Sequence, residues 1–194
     1  MPKSTDSPYR ASIDDLRSTD QDRQNHAFQS LAEMTRDRVD WAYEVWDDLL
    51  DLVVHGDNRQ RSIASQLLCN LAKSDPEERI VKDTAALVAL TKDERFVTAR
   101  HCLQSLWKVA IAGDRQRKAV VDGLVRRFKE CATEKNCTLI RYDILGVLRR
   151  IHDIAGETQL RSTAERLMGL EEDPKYRKKY ATLWRPAPAA ATAT

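Results

Sequence analysis

The chain has 194 residues, of which 42% are hydrophobic and 32% are charged, and its formal net charge at pH 7 is +2. This composition is ordinary for a folded domain and argues against a chain that is disordered throughout. No run of about 18 apolar residues occurs, so a membrane-spanning helix is not expected. The first residues lack the apolar stretch of a secretory signal. We therefore expect a cytoplasmic protein with no membrane partner.

Sequence motifs that would indicate catalysis or cofactor binding are missing. The chain contains no GxGxxG, no Walker phosphate loop, no GxSxG elbow and no HExxH zinc motif. Its four cysteines show no CxxC spacing, which argues against zinc. Cys131 and Cys137 flank a predicted helix junction and can come close, although a cytoplasmic disulfide is disfavoured. We expect no catalytic residues, no cofactor and no metal, and a protein that is not an enzyme.

In chain order, the first predicted elements are helices separated by capping residues. Ser7-Pro8 is typical of a helix start, and Ser18-Thr19-Asp20 is a capping cluster for a second helix that ends near Met34. From Asp40 the apolar residues recur at the i, i+3, i+4, i+7 spacing of an amphipathic helix. We expect Gly56 to end that helix in the left-handed conformation.

Two further hairpins are predicted from the capping signals that follow. Asp57 or Asn58 can cap the helix after Gly56. Residues 74–78 combine a capping side chain, a proline suited to the first helical position and acidic residues, all of which favour a helix N-terminus there. The second helix of this hairpin is expected after Lys92-Asp93.

The C-terminal half is expected to continue as helices. Gly113-Asp114 ends one helix and begins a longer one, and the junction with its partner is expected near residues 134–136. A helix after Gly156 closes the array, and Asp173-Pro174 opens a last basic helix that ends near Trp184. Capping helices are expected there because an open end of a repeat array would expose its core.

An internal repeat connects these helices. An Asp is followed after seven residues by Ala, and apolar residues follow that Ala at the fourth and seventh positions. The copies are Asp20, Ala27, Leu31 and Met34; Asp57, Ala64, Leu68 and Leu71; and, with one residue deleted, Asp93, Ala99, Leu103 and Leu106. The Ala positions are 37 and then 35 residues apart, and such periods are typical of stacked helical hairpins.

Hairpins of about 36 to 42 residues with this phrase resemble HEAT and armadillo-like repeats over residues 12–155. The resemblance implies an all-α fold, a right-handed α-solenoid of about four antiparallel helix hairpins with terminal capping helices. The proline usual in the first HEAT helix is absent, so the choice between HEAT and armadillo subtypes stays open. We expect one repeat domain over residues 10–184, a disordered or partly ordered N-terminus over residues 1–9 and a disordered tail over residues 185–194.

The resemblance also implies a concave face, lined by the second helices, that binds protein or peptide. A non-enzymatic scaffold of this kind is the leading functional hypothesis. His26 and His101 also fall on second helices, where they can line the groove or satisfy local hydrogen bonds. The polar candidates for partner binding in otherwise apolar second helices are Arg61, Gln66, Arg100, Gln104, Arg141 and Arg149.

The charge distribution supports an alternative hypothesis. Residues 1–97 carry a formal charge of −6, whereas residues 98–194 carry +8. Basic side chains grouped on one face can neutralise phosphates and release counterions. The alternative is therefore a protein that binds or modifies nucleic acid through its basic half. The candidates are Arg126, Arg127, Arg149 and Arg150.

Overall fold

The structure is a computed structural model that describes residues 7–185. The predictions for residues 1–6 and 186–194 concern residues outside this range. The described part of the chain contains helices and no strands. Short 3₁₀ turns lie at Ala72–Ser74 and Cys131–Thr133. The helices are α1 Pro8–Asp15, α2 Gln21–Met34, α3 Ala42–His55, α4 Asn58–Leu71, α5 Arg79–Leu90, α6 Phe96–Ser105, α7 Trp107–Ala110, α8 Asp114–Glu130, α9 Cys137–Ala155, α10 Gln159–Met168 and α11 Pro174–Leu183.

The contacts between residues divide the chain into two compact units. Unit 1 is Met1–Leu124 and unit 2 is Val125–Thr194. In unit 1 the hairpin partners pack against each other, α1 on α2, α3 on α4 and α5 on α6. The first helices also form a row, because α3 contacts α1 and α5, and the second helices form another, because α4 contacts α2 and α6. In unit 2, α9 packs against α10 and α11.

The repeated phrase forms the core of the second-helix row. Its alanines are almost completely buried, with Ala27, Ala64 and Ala99 at 2%, 0% and 5% exposure. The Leu residues of the phrase are buried as well, and among its apolar positions only Met34 is half-buried. The all-α array of helical hairpins predicted from the sequence is therefore confirmed.

The predicted caps are confirmed where the repeat is regular. The Asp20 carboxylate accepts hydrogen bonds from the backbone of α2 at Asp22 and Arg23. Asp57 caps α4 and forms a complete capping box with Gln60. Asp173 and Pro174 begin α11 as predicted, with the carboxylate accepting from Lys175 N.

The third copy of the phrase uses its Asp differently. Asp93 lies three residues before Phe96, the first residue of α6, and its carboxylate accepts from Arg95 N at 2.8 Å. It also accepts from Arg61 Nε of α4 at 2.6 Å, and the Asp93 side chain is only 4% exposed. In this copy the Asp side chain therefore joins neighbouring hairpins and does not directly precede its helix.

Gly56, between α3 and α4, corrects one expectation. Its φ of −66° and ψ of 168° are extended rather than left-handed. Glycine is required here for space, because a Cβ would stand 2.5 Å from the Leu52 carbonyl oxygen and 2.8 Å from Gln60 Cβ. The left-handed helix end is at Gly156, which follows α9 with φ of 70°.

The start of α5 is a second correction. The helix begins at Arg79 rather than at Pro76, and Glu78 before it adopts a left-handed φ of 56°. The Asp75 carboxylate still caps the helix, because it accepts from Arg79 N at 3.0 Å and from Ile80 N at 2.7 Å. The turn at residues 76–78 therefore separates the capping residue from its helix.

Replacement of Ala64 by Trp tests the packing of the second-helix row. The site is fully buried, so overpacking should lower the free energy of unfolding by about 1–3 kcal/mol or more. Thermal melting followed by far-ultraviolet circular dichroism should show an earlier or less cooperative transition. Ala11→Trp on the exposed side of α1 is the matched control and should melt like the parent. Equal melting of all three proteins would contradict the proposed register.

Candidate functional site

The second-helix row of unit 1 carries a surface groove with a cavity volume of about 470 Å³. We call it the α2/α4/α6 groove because these helices and the residue preceding α6 supply its walls. Its lining residues are Asn25, Phe28, Asn58, Arg59, Ser62, Ile63, Gln66, Arg95, Phe96, Val97, Thr98 and His101.

The floor of the groove is one stripe of α4. Arg59, Ser62, Ile63 and Gln66 are spaced by three or four residues and so lie along one side of the helix. The same periodicity places Ala64 and the other core residues on the sides that pack against neighbouring helices. The amphipathic sequence of α4 therefore produces both the core and the groove floor.

Polar side chains cross-link the helices around the groove. Ser62 Oγ and His101 Nδ1 share a hydrogen bond of 2.9 Å between α4 and α6. The Thr98 hydroxyl donates to the Asn58 carbonyl at 2.9 Å. The Arg59 guanidinium donates to Asn25 Oδ1 of α2. These bonds hold the three helices in register. His101 lies at the groove, where it forms a hydrogen bond with the neighbouring helix α4.

Apolar side chains form a second component of the lining. Phe28 and Phe96 are half-buried, Ile63 is buried, and Val97 is 64% exposed at the start of α6. An exposed aliphatic side chain beside two aromatic rings in a concave site is typical of surfaces that bind ligands. The groove can therefore accept apolar side chains as well as hydrogen-bonding groups.

The charge of the groove is positive. Among the described residues that line it there is no Asp or Glu, whereas Arg59 and Arg95 are present. The Arg95 residue is exposed. The Nε atom of Arg59 is buried and has no hydrogen-bond partner among residues 7–185. The groove therefore offers donors and positive charge rather than acceptors and negative charge.

Among the helices of unit 1, α3 contains the most acidic residues. Helix α3 contains Glu44, Asp47, Asp48 and Asp51, and α4 and α6 contain none. The α3 carboxylates pair with neighbouring helices. Their bonds are Arg10–Asp48 at 2.6 Å, Arg17–Asp51 at 2.9 Å and Arg79–Asp47 at 2.6 Å. The formal charge of −6 over residues 1–97 therefore gives the wrong sign for the groove.

Four predicted partner-binding residues belong to unit 1. Gln66 lines the groove, and its side-chain amide donates to the Ser62 carbonyl at 3.0 Å. Arg100 lies with its guanidinium 5.7 Å from the centre of the groove residue Phe96. Gln104 is exposed on α6. Arg61 lies outside the groove lining, paired with Asp93.

The other two partner-binding candidates, Arg141 and Arg149, lie in unit 2 in ion pairs. Arg141 is 9% exposed and binds Glu171, which is 6% exposed, at 3.0 Å. Arg149 donates to both carboxylate oxygens of Asp153 at 2.7 and 2.8 Å and to the Leu183 carbonyl at 2.8 Å. Both arginines therefore contribute to the packing of α9 with the elements that follow it.

The four candidates for nucleic-acid binding differ in their exposure and in their contacts. Arg127 is 1% exposed and binds both oxygens of Glu134, at 2.6 and 2.7 Å. Arg149 is bound to the Asp153 carboxylate. Arg126 and Arg150 are exposed. Two of the four guanidinium groups are thus occupied by intramolecular carboxylates.

The remaining observations concern metals and membranes. Within residues 7–185 no group of three or more His, Cys, Asp or Glu side chains is placed to hold a metal ion. No helix of that described range is long and apolar enough to span a bilayer. The candidate functional site is the α2/α4/α6 groove.

Comparisons with known proteins concern the fold. No protein-family model and no curated protein matches the sequence. An engineered protein of known crystal structure, structural genomics target OR329, has a TM-score of 0.51 and 21% identity over 91% of this chain and 77% of its own. A designed armadillo repeat protein in complex with a (KR)4 peptide has a TM-score of 0.45 and 13% identity, covering 92% of this chain and 98% of its own.

The observed hairpins define the class of the protein. Paired helices that repeat every 35 to 37 residues and pack into two rows in unit 1 are the architecture of a helical-repeat protein. The fold is HEAT/armadillo-like.

Sequence analysis missed several groove residues, namely Ser62, Phe28, Phe96 and Val97. One usable signal was present: α4 and α6 contain no acidic residue, whereas α3, the hairpin partner of α4, contains four. Counting charge by helix rather than by half of the chain would have indicated the positive face. The pairing of Ser62 with His101 depends on contact between helices and has no local signature.

Replacement of Arg141 by Met separates a packing role from a binding role. Removal of one partner of a buried ion pair costs about 3–5 kcal/mol of stability because the other charge remains buried. We therefore expect chemical denaturation of Arg141→Met to show a large loss of stability. Arg150→Met, at an exposed position of the same helix, should change it by less than about 0.5 kcal/mol. Equal stability of the two variants would show that Arg141 is not part of the packing.

Proposed function

We propose that the protein is a non-enzymatic binding scaffold that holds an extended, acidic segment of a partner protein in the α2/α4/α6 groove. The observation that carries the proposal is a concave site with cationic and apolar lining residues and no acidic side chain among the described ones. The sequence hypothesis of a protein- or peptide-binding face is kept, with the contact residues moved from Arg61, Arg141 and Arg149 to the groove.

The dimensions of the groove favour an extended ligand. Packed helices lie about 8–10 Å apart, so a path across three of them is about 16–20 Å long. An extended chain advances about 3.3 Å per residue, and about five or six residues cover this path.

The lining chemistry indicates which side chains the segment carries. Apolar groups suit the patch at Phe28, Phe96 and Val97, whereas carboxylates complement Arg59 and Arg95. Complementary charge increases the association rate and selects partners. A basic segment would meet two like charges, so the groove is expected to reject it.

The nucleic-acid hypothesis receives less support from the structure. Arg127 and Arg149 are bound by carboxylates or backbone carbonyls within unit 2. Nucleic acid is nevertheless a polyanion, so the test below includes a duplex DNA oligonucleotide as a competitor class.

Binding of designed octapeptides tests the proposal. Fluorescence anisotropy should show that labelled (Glu-Phe)4 binds at least about ten-fold more tightly than (Ser-Phe)4, a difference of about 1.4 kcal/mol, and that (Lys-Phe)4 binds least. Arg95→Glu should weaken (Glu-Phe)4 by a similar factor because it reverses an exposed charge in the groove. The affinity should fall as salt is added.

Arg126→Glu is the matched control, since it reverses an exposed charge in unit 2, and it should leave the affinity for (Glu-Phe)4 within two-fold of the parent. Preference for (Lys-Phe)4, or equal effects of the two charge reversals, would refute the groove as an acidic-segment site. Tighter binding of duplex DNA that is lost in Arg126→Glu would favour the nucleic-acid hypothesis instead.

A further inference from the structure

Two cysteines of unit 2 lie in direct contact at the junction between α8 and α9. The Sγ atoms of Cys131 and Cys137 are 3.4 Å apart. Cys131 is buried in the 3₁₀ turn after α8, and Cys137 is the half-buried first residue of α9. Both are free thiols in the structure. The sequence allowed Cys131 and Cys137 to come close, and the structure confirms that they do. Together the two thiols form a dithiol.

We propose that Cys131 and Cys137 form a site of reversible oxidation, at which hydrogen peroxide converts the dithiol into an intramolecular disulfide. The inference does not depend on the α2/α4/α6 groove. The observation that carries the proposal is the direct contact between the two sulfur atoms, because a disulfide forms only between thiols that the fold brings this close.

The surrounding contacts hold the two sulfur atoms in place. Arg127 binds Glu134, which lies between the two cysteines in sequence, so the connecting loop is anchored to α8. Cys131 Sγ donates to the Phe128 carbonyl at 3.3 Å, and Arg141 Nε donates to the same carbonyl. A disulfide bond is about 2.05 Å long, so only a small approach of the sulfurs is needed within a loop that is already closed.

The accessible thiol is the one that meets the oxidant. Burial raises the pKa of Cys131 to about 12, so this group stays protonated, and only the thiolate is strongly nucleophilic. Cys137, which is half-exposed, therefore reacts first.

The two steps balance. The Cys137 thiolate attacks one peroxide oxygen, so that an S–O bond forms, the O–O bond breaks, and hydroxide leaves and becomes water. Cys131 Sγ then attacks the sulfenic sulfur. The S–S bond forms, the S–O bond breaks, and the departing hydroxide takes the Cys131 proton to leave as water. Two thiols are oxidised and one peroxide is reduced to two waters.

The other two cysteines provide an internal comparison. Cys69 and Cys102 are both completely buried in unit 1. Burial raises the pKa of Cys102 to about 12 and raises that of Cys69 well above its ordinary value. Neither thiol is accessible to an oxidant, so the two should remain reduced in the folded chain while the unit 2 pair reacts.

Peroxide titration of the folded, full chain tests the proposal. Trypsin cleaves after Lys129, Lys135 and Arg141, so Cys131 and Cys137 fall on separate peptides. After treatment and alkylation, mass spectrometry should find residues 130–135 cross-linked to residues 136–141, two hydrogen atoms lighter than the sum of the free peptides. Dithiothreitol should restore both thiols. Cys69 and Cys102 should be alkylated only after unfolding and should show no oxidation.

Cysteine variants and a denatured control test whether the native fold is what makes this pair of thiols react. Cys137→Ser should abolish the cross-link and leave Cys131 at least ten-fold slower to oxidise, with an unchanged circular dichroism spectrum. Cys102→Ser is the matched control and should form the cross-link at the parent rate. The proposal is overturned if Cys131 oxidises equally fast in Cys137→Ser, or if the chain unfolded in urea cross-links as fast as the native one.

Discussion

The architecture of unit 1 depends on the burial of α4. This helix packs against its hairpin partner α3 and against both neighbouring second helices, α2 and α6. Ala64 and Leu68 are completely buried there, and the missing side-chain volume at alanine allows a close approach between helices. With its core sides occupied, α4 can present a remaining stripe to solvent, and that stripe is the groove floor.

A second constraint follows from the separation of charge between the two helix rows. The carboxylates of α3 bind Arg10, Arg17 and Arg79, which lie on or beside α1 and α5. These ion pairs connect the first helices to one another. Around the groove, the second helices are joined by hydrogen bonds whose acceptors carry no negative charge, such as that from Arg59 to Asn25. The groove therefore keeps its positive charge uncompensated by its own lining, which is the basis of the proposed preference for acidic segments.

The sequence predicted what is encoded locally. Helix caps at Asp20 and Asp57 depend on side chains within three residues of the backbone groups that they satisfy, and the buried repeat follows from helical periodicity. The failures concern distant partners and steric context. Gly56 is required by crowding rather than by a left-handed φ, and Arg141 is held by Glu171, thirty residues away. A basic residue between apolar neighbours gives no local sign of whether its partner is a ligand or another helix.

Amide chemical shifts of the full chain, recorded by ¹H–¹⁵N NMR during titration with (Glu-Phe)4, test the central claim most directly. The groove account predicts that shifts concentrate in α2, α4 and α6, with Ser62, Thr98 and His101 among the affected residues, and saturate together at one dissociation constant. Shifts confined to unit 2, around Arg126 and Arg150, would contradict it.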